Sequence, residues 1–173
     1  NVNVAMLKRM LKDTLDKQDR KLFRIPDGID ARKAFQLSKS AVQGHDMRLV
    51  REYIRDLPSV QPGDKPTLDS EVWYCASVKG REDKLVVRLG ISERDRTVEF
   101  FAASTSLLVV TGILAELKSD LNSELKNAGA AGVELLPGPE AGEGAPLPDA
   151  LSGSQLEMDE GANDHPSPPS PSV

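Results

Sequence analysis

The fold class is decided by residues 70–102, which read SEVWYCASVKGREDKLVVRLGISERDRTVEFFA. Apolar side chains recur at every second position over 70–78, 85–89 and 97–102, which is the period of a strand that buries one face. Short charged segments of the kind found in turns separate the three runs. The stretch therefore predicts a three-stranded antiparallel meander.

Directly after the meander, the apolar period changes from two residues to between three and four, as in a helix. The residues with this spacing are Leu107, Val110, Leu114, Leu117, Leu121 and Leu125. Ser104 or Ser106 can cap the start of this helix. A second apolar row on it consists of Leu108, Ile113 and Ala115, and such a row leaves surface for a partner to cover. These three residues are candidates for a homodimer interface.

Upstream of the meander, the pattern predicts three helices and one short strand. Residues 3–18 carry apolar side chains at helical spacing, and 22–25 form a short β-prone segment followed by a turn. Asp30 and Asp46 can each cap a further helix, and Pro58 ends the second of these because proline cannot continue a helix. The resulting order predicts the α+β class: a single compact domain of amphipathic helices packed on a three- or four-stranded, mainly antiparallel sheet.

The composition changes at Gly129. The last 45 residues carry eight Pro, seven Gly and eight Asp or Glu, without any Lys, Arg, Phe, Trp or Tyr. Such a segment cannot bury enough apolar surface to offset the entropy of ordering its backbone. The sequence therefore predicts a folded core over residues 1–128 and a disordered acidic tail over residues 129–173.

The charge of the chain is unevenly distributed. Residues 1–55 contain 13 Lys and Arg against 7 Asp and Glu, whereas residues 129–173 contain eight acids and no base. This asymmetry indicates an anionic partner for the first part of the chain, or a tail that folds back over it.

Other features of the sequence exclude several classes of protein. The single cysteine, Cys75, cannot form an internal disulfide and favours a reducing interior such as the cytosol. No apolar run reaches the roughly 18 residues of a membrane span, so no membrane partner is expected. Two histidines and one cysteine make a zinc site improbable, and the sequence has no phosphate-binding glycine loop or dinucleotide fingerprint. We expect a non-enzymatic protein with no catalytic residue, metal or cofactor.

Four aromatic residues lie in the meander: Trp73, Tyr74, Phe100 and Phe101. They could stack on nucleic-acid bases from an open sheet face. In a small sheet that helices cover, aromatic side chains mostly fill the core, and this interpretation is favoured.

Six basic residues on two predicted helices are candidates for binding nucleic acid or a partner protein. They are Lys8, Arg9 and Lys12 on the first helix, and Arg48, Arg51 and Arg55 on the helix after Asp46. Three arginines at three- and four-residue steps share one helical face, where they can bind phosphates or a carboxylate-rich partner. Glu52 and Asp56 lie within the same turns and could instead neutralise the arginines. The acidic tail could compete with nucleic acid for this face.

Two alternative classes remain open. The order up to the first hairpin is that of a winged helix, with the three arginines on the recognition helix and residues 79–84 as the wing. The long separation between helix and hairpin is atypical of that fold. Secretion-type chaperones are also small α+β dimers, although their bodies are usually acidic and residues 1–128 carry a net charge of +3.

The chain joins a charged core of about 125 residues, without a catalytic motif, to an acidic Pro- and Gly-rich tail near Asn127-Ala128-Gly129. This layout, from Val4 to Val173, resembles that of the minor packaging-assembly protein of the double-stranded RNA bacteriophages, the cystoviruses. The resemblance transfers no functional position. It implies a component of the viral polymerase complex that stabilises capsid assembly and assists RNA packaging. Capsid or polymerase proteins and RNA would be its partners, in the virion interior or the host cytoplasm.

Overall fold

The computed structural model of the chain describes residues 2–57, 63, 65–77 and 84–137, apart from the side chain of Arg55. These residues form three α-helices and six strands, which confirms the α+β class. In chain order the elements are α1 (Val4–Arg9), continued by a π-helical segment (Met10–Thr14), β1 (Lys17–Arg24), α2 (Ala31–Gln43), β2 (Met47–Leu57), β3 (Thr67–Ala76), β4 (Leu85–Ser92), β5 (Thr97–Ser104), α3 (Leu107–Asn127) and β6 (Glu134–Leu136).

The six strands pair in one antiparallel sheet with the order β2-β3-β4-β5-β1-β6. The predicted meander is confirmed as β3, β4 and β5. The sheet has more strands than the three or four predicted, because the sequence pattern assigns β2 to a helix and β6 to the tail. β2 and β6 are the edges of the described sheet, and β4 and β5 lie at its centre.

The helix predicted after Asp46 is wrong, since Met47–Leu57 form the strand β2. Asp46 adopts a φ of 42°, and its carbonyl oxygen accepts hydrogen bonds from the Ser77 backbone N–H (2.8 Å) and hydroxyl (2.6 Å). This turn starts the pairing with β3, which has a β-bulge between Leu49 and Arg51. A bulge adds one residue to the strand and so breaks strict alternation. The apolar spacing of β2 therefore imitates a helical period.

Two further boundaries differ from the prediction. The N-terminal helix ends at Thr14, and β1 begins at Lys17 because its polar first half pairs with β5. Strand β6 lies inside the segment predicted to be disordered and pairs with the other edge of β1. The Asn122 side chain of α3 supports this connection by accepting a hydrogen bond from the Val133 N–H (2.8 Å). The folded region therefore extends beyond residue 128, and residues 138–173 of the predicted tail lie outside the described residues.

Helices α2 and α3 cover one face of the sheet, which we call the back face. Its core joins Phe23, Val72 and Phe100 from the strands to the buried leucines of α3. The Phe23 and Phe100 rings meet edge to face, with centroids 6.3 Å apart. Asp30 and Ser106 accept backbone hydrogen bonds at the first turns of α2 and α3, which confirms both predicted caps.

The N-terminal helix packs on the opposite face, which we call the front face. Its Leu7 and Leu11 contact a second core that contains Trp73 and Phe101, whose rings meet edge to face at 5.9 Å. All four aromatic residues of the meander are buried, which confirms that they belong to the core. The sheet is thus the middle layer of three.

Candidate binding site on the front face

The strand register places a row of alternating arginines and aromatic residues across the front face. From β2 to β1, the paired positions are Arg51, Trp73, Arg88, Phe101 and Arg20. The N-terminal helix packs on Trp73 and Phe101, which are buried. The front face is therefore apolar under the helix and charged beside it.

The basic residues predicted on the first helix lie on its outer side. Leu7, Met10 and Leu11 point into the front core, which leaves Arg9 and Lys12 exposed and Lys8 half-buried. None of these three cations forms an ion pair with a described residue. They remain available to an anionic partner.

The three predicted arginines lie on β2 and not on a helix. The backbones of Arg48, Arg51 and Arg55 pair with Cys75, Trp73 and Asp69, which are front-face positions of β3. The Arg48 guanidinium donates to the Cys75 sulfur at 3.5 Å. The structure thus brings Arg48 and Arg51 to the side of the molecule that carries the N-terminal helix, by strand alternation across a bulge, and the Arg55 side chain lies outside the described residues. The recognition helix of a winged helix is not formed, and its predicted wing lies mostly outside the described residues.

The two acids expected to neutralise these arginines face the other way. Glu52 pairs with Lys39 of α2 at 3.0 Å, and Asp56 pairs with Arg32 of α2 at 2.8 Å. Both carboxylates therefore serve the contact between β2 and α2 on the back face. Asp56 and Glu93 also favour the charged form of Arg32 and, despite slight desolvation, raise its pKa.

A buried cluster of charges occupies the uncovered part of the front face. The Arg88 side chain is 8% exposed, contacts Glu99, and has its Nη1 3.7 Å from a Glu71 oxygen. Arg20 lies 3.7 Å from the other oxygen of Glu99. Burial lowers the pKa of Arg88, and the neighbouring Arg20 lowers it further, whereas Glu71 opposes both effects. Arg88 Nε is buried and has no hydrogen-bond partner among the residues that the structure describes.

Gly90 makes room for this cluster. It is the next front-face residue after Arg88 on β4, and a Cβ there would lie 2.6 Å from Arg88 Nη1. The missing side chain lets the guanidinium lie along its own strand. A cavity of about 250 Å³ opens beside the cluster, with Asp69, Glu71, Arg88 and Glu99 among its lining residues.

The sequence analysis did not identify the charge cluster. Its members come from four strands and meet only when β3, β4, β5 and β1 pair. A signal is nevertheless present, because Arg88 interrupts the apolar run of β4 and falls in the same alternation phase as Glu71 and Glu99. A charge inside a central strand is unusual enough to mark a site.

The predicted dimer residues on α3 do not form one surface. Leu108 is 85% exposed and Ala115 is exposed, but Ile113 is buried in the back core and cannot contact a partner. Leu107 and Val109 are also exposed, so the first turn of α3 carries three adjacent apolar residues in contact with solvent. The apolar surface is therefore at the start of α3 and not along a second row.

His45 links the turn before β2 to α3. Its Nε2 lies 2.5 Å from an Asp120 oxygen, and its Nδ1 lies 3.5 Å from a Glu116 oxygen. Among residues 2–57, 63, 65–77 and 84–137, no group of three side chains is arranged to hold a metal ion. The same part of the chain has no helix that combines the length and apolar character needed to cross a bilayer.

Comparison with known proteins gives no match: no protein-family model and no curated protein matches the chain.

Proposed function

We propose that this chain is a non-enzymatic assembly factor that binds a polyanion, RNA above all, with its basic side and contacts proteins through the start of α3. The observation that carries the proposal is the placement of Lys8, Arg9 and Lys12. These cations lie on the outside of the helix that covers the front face, on the side that also holds Arg48 and Arg51. Lys8, Arg9 and Lys12 form no ion pair with a described residue, and cations of this kind can neutralise phosphates.

A binding role is favoured over catalysis by the state of the charged groups. Arg88 contacts Glu99 and lies near Glu71, and His45 lies between Asp120 and Glu116. Pairs of this kind join neighbouring elements of the fold and give a binding surface a fixed geometry. The layout resemblance to the cystovirus packaging protein supplies the proposed setting, a viral nucleocapsid or polymerase complex.

The test is the fluorescence anisotropy of labelled single-stranded RNA titrated with the full chain at two salt concentrations. Each phosphate neutralised on a single strand contributes about −0.7 to the slope of log K against log salt. Replacement of Lys8, Arg9 and Lys12 by alanine should reduce that slope by roughly 2 and weaken binding at low salt.

The matched control is the triple alanine variant of Lys33, Lys118 and Lys126, three exposed lysines of α2 and α3. It removes the same charge from the helices of the back face and should leave the slope nearly unchanged. Equal losses in both variants would show that only net charge matters, and this result would contradict a localised site.

A homodimer is the protein contact that the first turn of α3 favours. Leu107, Leu108 and Val109 are 55%, 85% and 43% exposed, and adjacent apolar side chains of this kind mark contact surfaces. Sedimentation equilibrium of Leu108→Ser should show weaker self-association, whereas Leu135→Ser, 51% exposed on β6, should not. A wild-type mass that stays monomeric at all concentrations would reject the dimer.

A secretion-type chaperone is the second candidate, and the position of β2 at one edge of the described sheet favours it. Leu49 and Ile54 are 48% and 54% exposed on this edge strand, where an extended peptide could add its own strand. Replacement of both by serine should weaken the binding of apolar peptides but leave RNA binding intact. Peptide affinity that this double variant does not change would reject the candidate.

A further inference from the structure

We propose that residues 155–160 of the acidic tail bind along the outer edge of β2 as an added strand and cover the first half of β2. The juxtaposition that points to this contact is a match of two side-chain patterns. Residues 47–51 alternate apolar and basic side chains across the bulge, and residues 156–159 alternate apolar and acidic ones. The proposal does not rest on the RNA site, because the cations of the N-terminal helix take no part in it.

The start of β2 presents backbone hydrogen-bonding groups at an edge of the described sheet. The Asp46 carbonyl oxygen accepts from the Ser77 N–H, so the Met47 N–H on the opposite side of the same peptide plane points away from β3. Alternation along an extended strand directs the Leu49 backbone groups the same way. No described strand pairs with these groups, and an edge of this kind is a template for a further strand.

The two faces of β2 at this edge select different kinds of side chain. Leu49 lies on the back face and is about half exposed. On the front face, the Arg48 guanidinium donates to the Cys75 sulfur and forms no ion pair with a described residue. Arg51 follows on the same face, where it pairs with Trp73. An added strand therefore meets an apolar side chain on one face and two guanidinium groups on the other.

The tail contains one segment with the complementary pattern. Within residues 138–173, Leu156 and Met158 are the only large apolar residues two positions apart. Glu157 and Asp159 occupy the alternate positions. As a strand, this segment has an apolar face and an acidic face.

The spacing of the acids matches that of the arginines. Arg48 and Arg51 pair with β3 residues that are two positions apart, so they lie about 7 Å apart along the strand. Glu157 and Asp159 have the same spacing in an extended segment. Two carboxylates can therefore lie beside two guanidinium groups while the apolar face of the segment covers Leu49.

A parallel alignment with β2 uses these side chains best. An antiparallel alignment would place Leu156 beside the acid Glu52, whereas a parallel alignment places it beside Met47. The parallel alignment also sets Glu157 beside Arg48.

The chain between β6 and the segment is long enough to reach β2. The two strands are opposite edges of the described sheet, five strand spacings or about 24 Å apart, and β6 runs toward the end of the sheet where β2 begins. Residues 137–154 can span about 60 Å. A tether of this length holds the segment at an effective concentration on the order of 1 mM, so weak binding is sufficient. The bound segment shields β2 from pairing with other chains.

The experiment compares full-length, ¹⁵N-labelled chains by the exchange of their amide hydrogens with solvent. In the Leu156→Ser and Met158→Ser double variant, the Leu49 amide should exchange about two- to tenfold faster, because release of the segment exposes this amide. The matched control replaces Leu147 and Leu151 by serine, two tail leucines that are four positions apart. This control should leave the exchange of Leu49 unchanged.

Charge reversal tests the alignment. Arg48→Glu alone and Glu157→Arg alone should each release the segment, and the two substitutions together should restore the slow exchange of Leu49.

Any of four results would overturn the proposal. They are unchanged exchange of Leu49 in the first double variant, equal release in the serine control, no rescue by the paired charge reversal, and protection that rises with protein concentration. The last result would place the tail of a second copy on β2. Loss of RNA binding in the Lys8, Arg9 and Lys12 variant changes none of these outcomes, so the two proposals fail separately.

Discussion

The back face and the front face of the sheet bury their side chains by different means. On the back face, two helices cover Phe23, Val72 and Phe100 with leucines, and the core there is apolar along the strands. On the front face, the N-terminal helix covers Trp73 and Phe101, and the neighbouring positions hold Glu71, Arg88 and Glu99. Because buried ion pairs add little net stability, the contrast indicates that the apolar back face stabilises the fold more than the charged part of the front face does.

The largest expected effect comes from breaking the charge cluster on the front face. Arg88→Ala removes the guanidinium that lies between Glu71 and Glu99, and removal of one member of a buried ion pair costs about 3–5 kcal/mol. Urea denaturation followed by Trp73 fluorescence measures the change.

The three least exposed members of the cluster can be replaced together. A variant with Arg88→Met, Glu71→Leu and Glu99→Leu should be as stable as the wild type or more stable, because apolar side chains avoid the cost of desolvating charges. If this variant is instead several kcal/mol less stable than the wild type, the cluster is structural and the contrast between the faces is wrong.

The next effect concerns a buried phenol on the back face. Burial raises the pKa of Tyr74 to about 12, and Glu52 contributes to the shift. The unfolded chain loses this proton near its ordinary pKa of 10, so between pH 10 and 12 the unfolded state binds fewer protons than the folded state. The contribution of Tyr74 to the free energy of unfolding is therefore complete below pH 10. It should fall by about 2–3 kcal/mol as the pH rises to 12.

Tyrosinate absorbance of the folded protein checks this expectation. Tyr53 is half-buried on the front face, and Tyr74 is 1% exposed on the back face. The Tyr53→Phe variant isolates the Tyr74 titration, and Tyr74→Phe should remove the loss of stability between pH 10 and 12. A Tyr74 midpoint near 10 would contradict the tight burial of the back face.

The two faces also differ in how far the sequence predicts them. The back face follows from local periods, because α2, α3 and the meander each repeat their apolar residues with the spacing of one element. The front face depends on pairing between distant residues: the bulge in β2 hides its strand period, and β6 becomes a strand through its contact with β1. The Arg88 cluster needs the register of four strands at once, and no local pattern contains that register.

A smaller loss of stability is expected from a substitution at Gly90, where the Arg88 guanidinium occupies the space that a side chain would fill. In Gly90→Ala the added Cβ would lie 2.6 Å from Arg88 Nη1, so the guanidinium must move away from Glu71. Overpacking of this kind costs about 1–3 kcal/mol, and the lower part of the range applies because the end of a long side chain can shift. Denaturation measures the loss, which should disappear when Arg88 is also replaced by methionine.

The smallest effect comes from Gly112 of α3 and has the opposite sign. The position of Gly112 inside a helix predicts a close contact with another part of the backbone. Outside its own helix, however, no described atom lies within 4 Å of a Cβ built on Gly112. Glycine costs a helix interior about 1 kcal/mol relative to alanine, so Gly112→Ala should stabilise the protein by roughly 0.5–1 kcal/mol. The same substitution thus weakens the front face at Gly90 and strengthens a back-face helix at Gly112. Loss of stability in Gly112→Ala would mean that a partner approaches α3 at this position, and the self-association of that variant would then report whether the partner is a second copy.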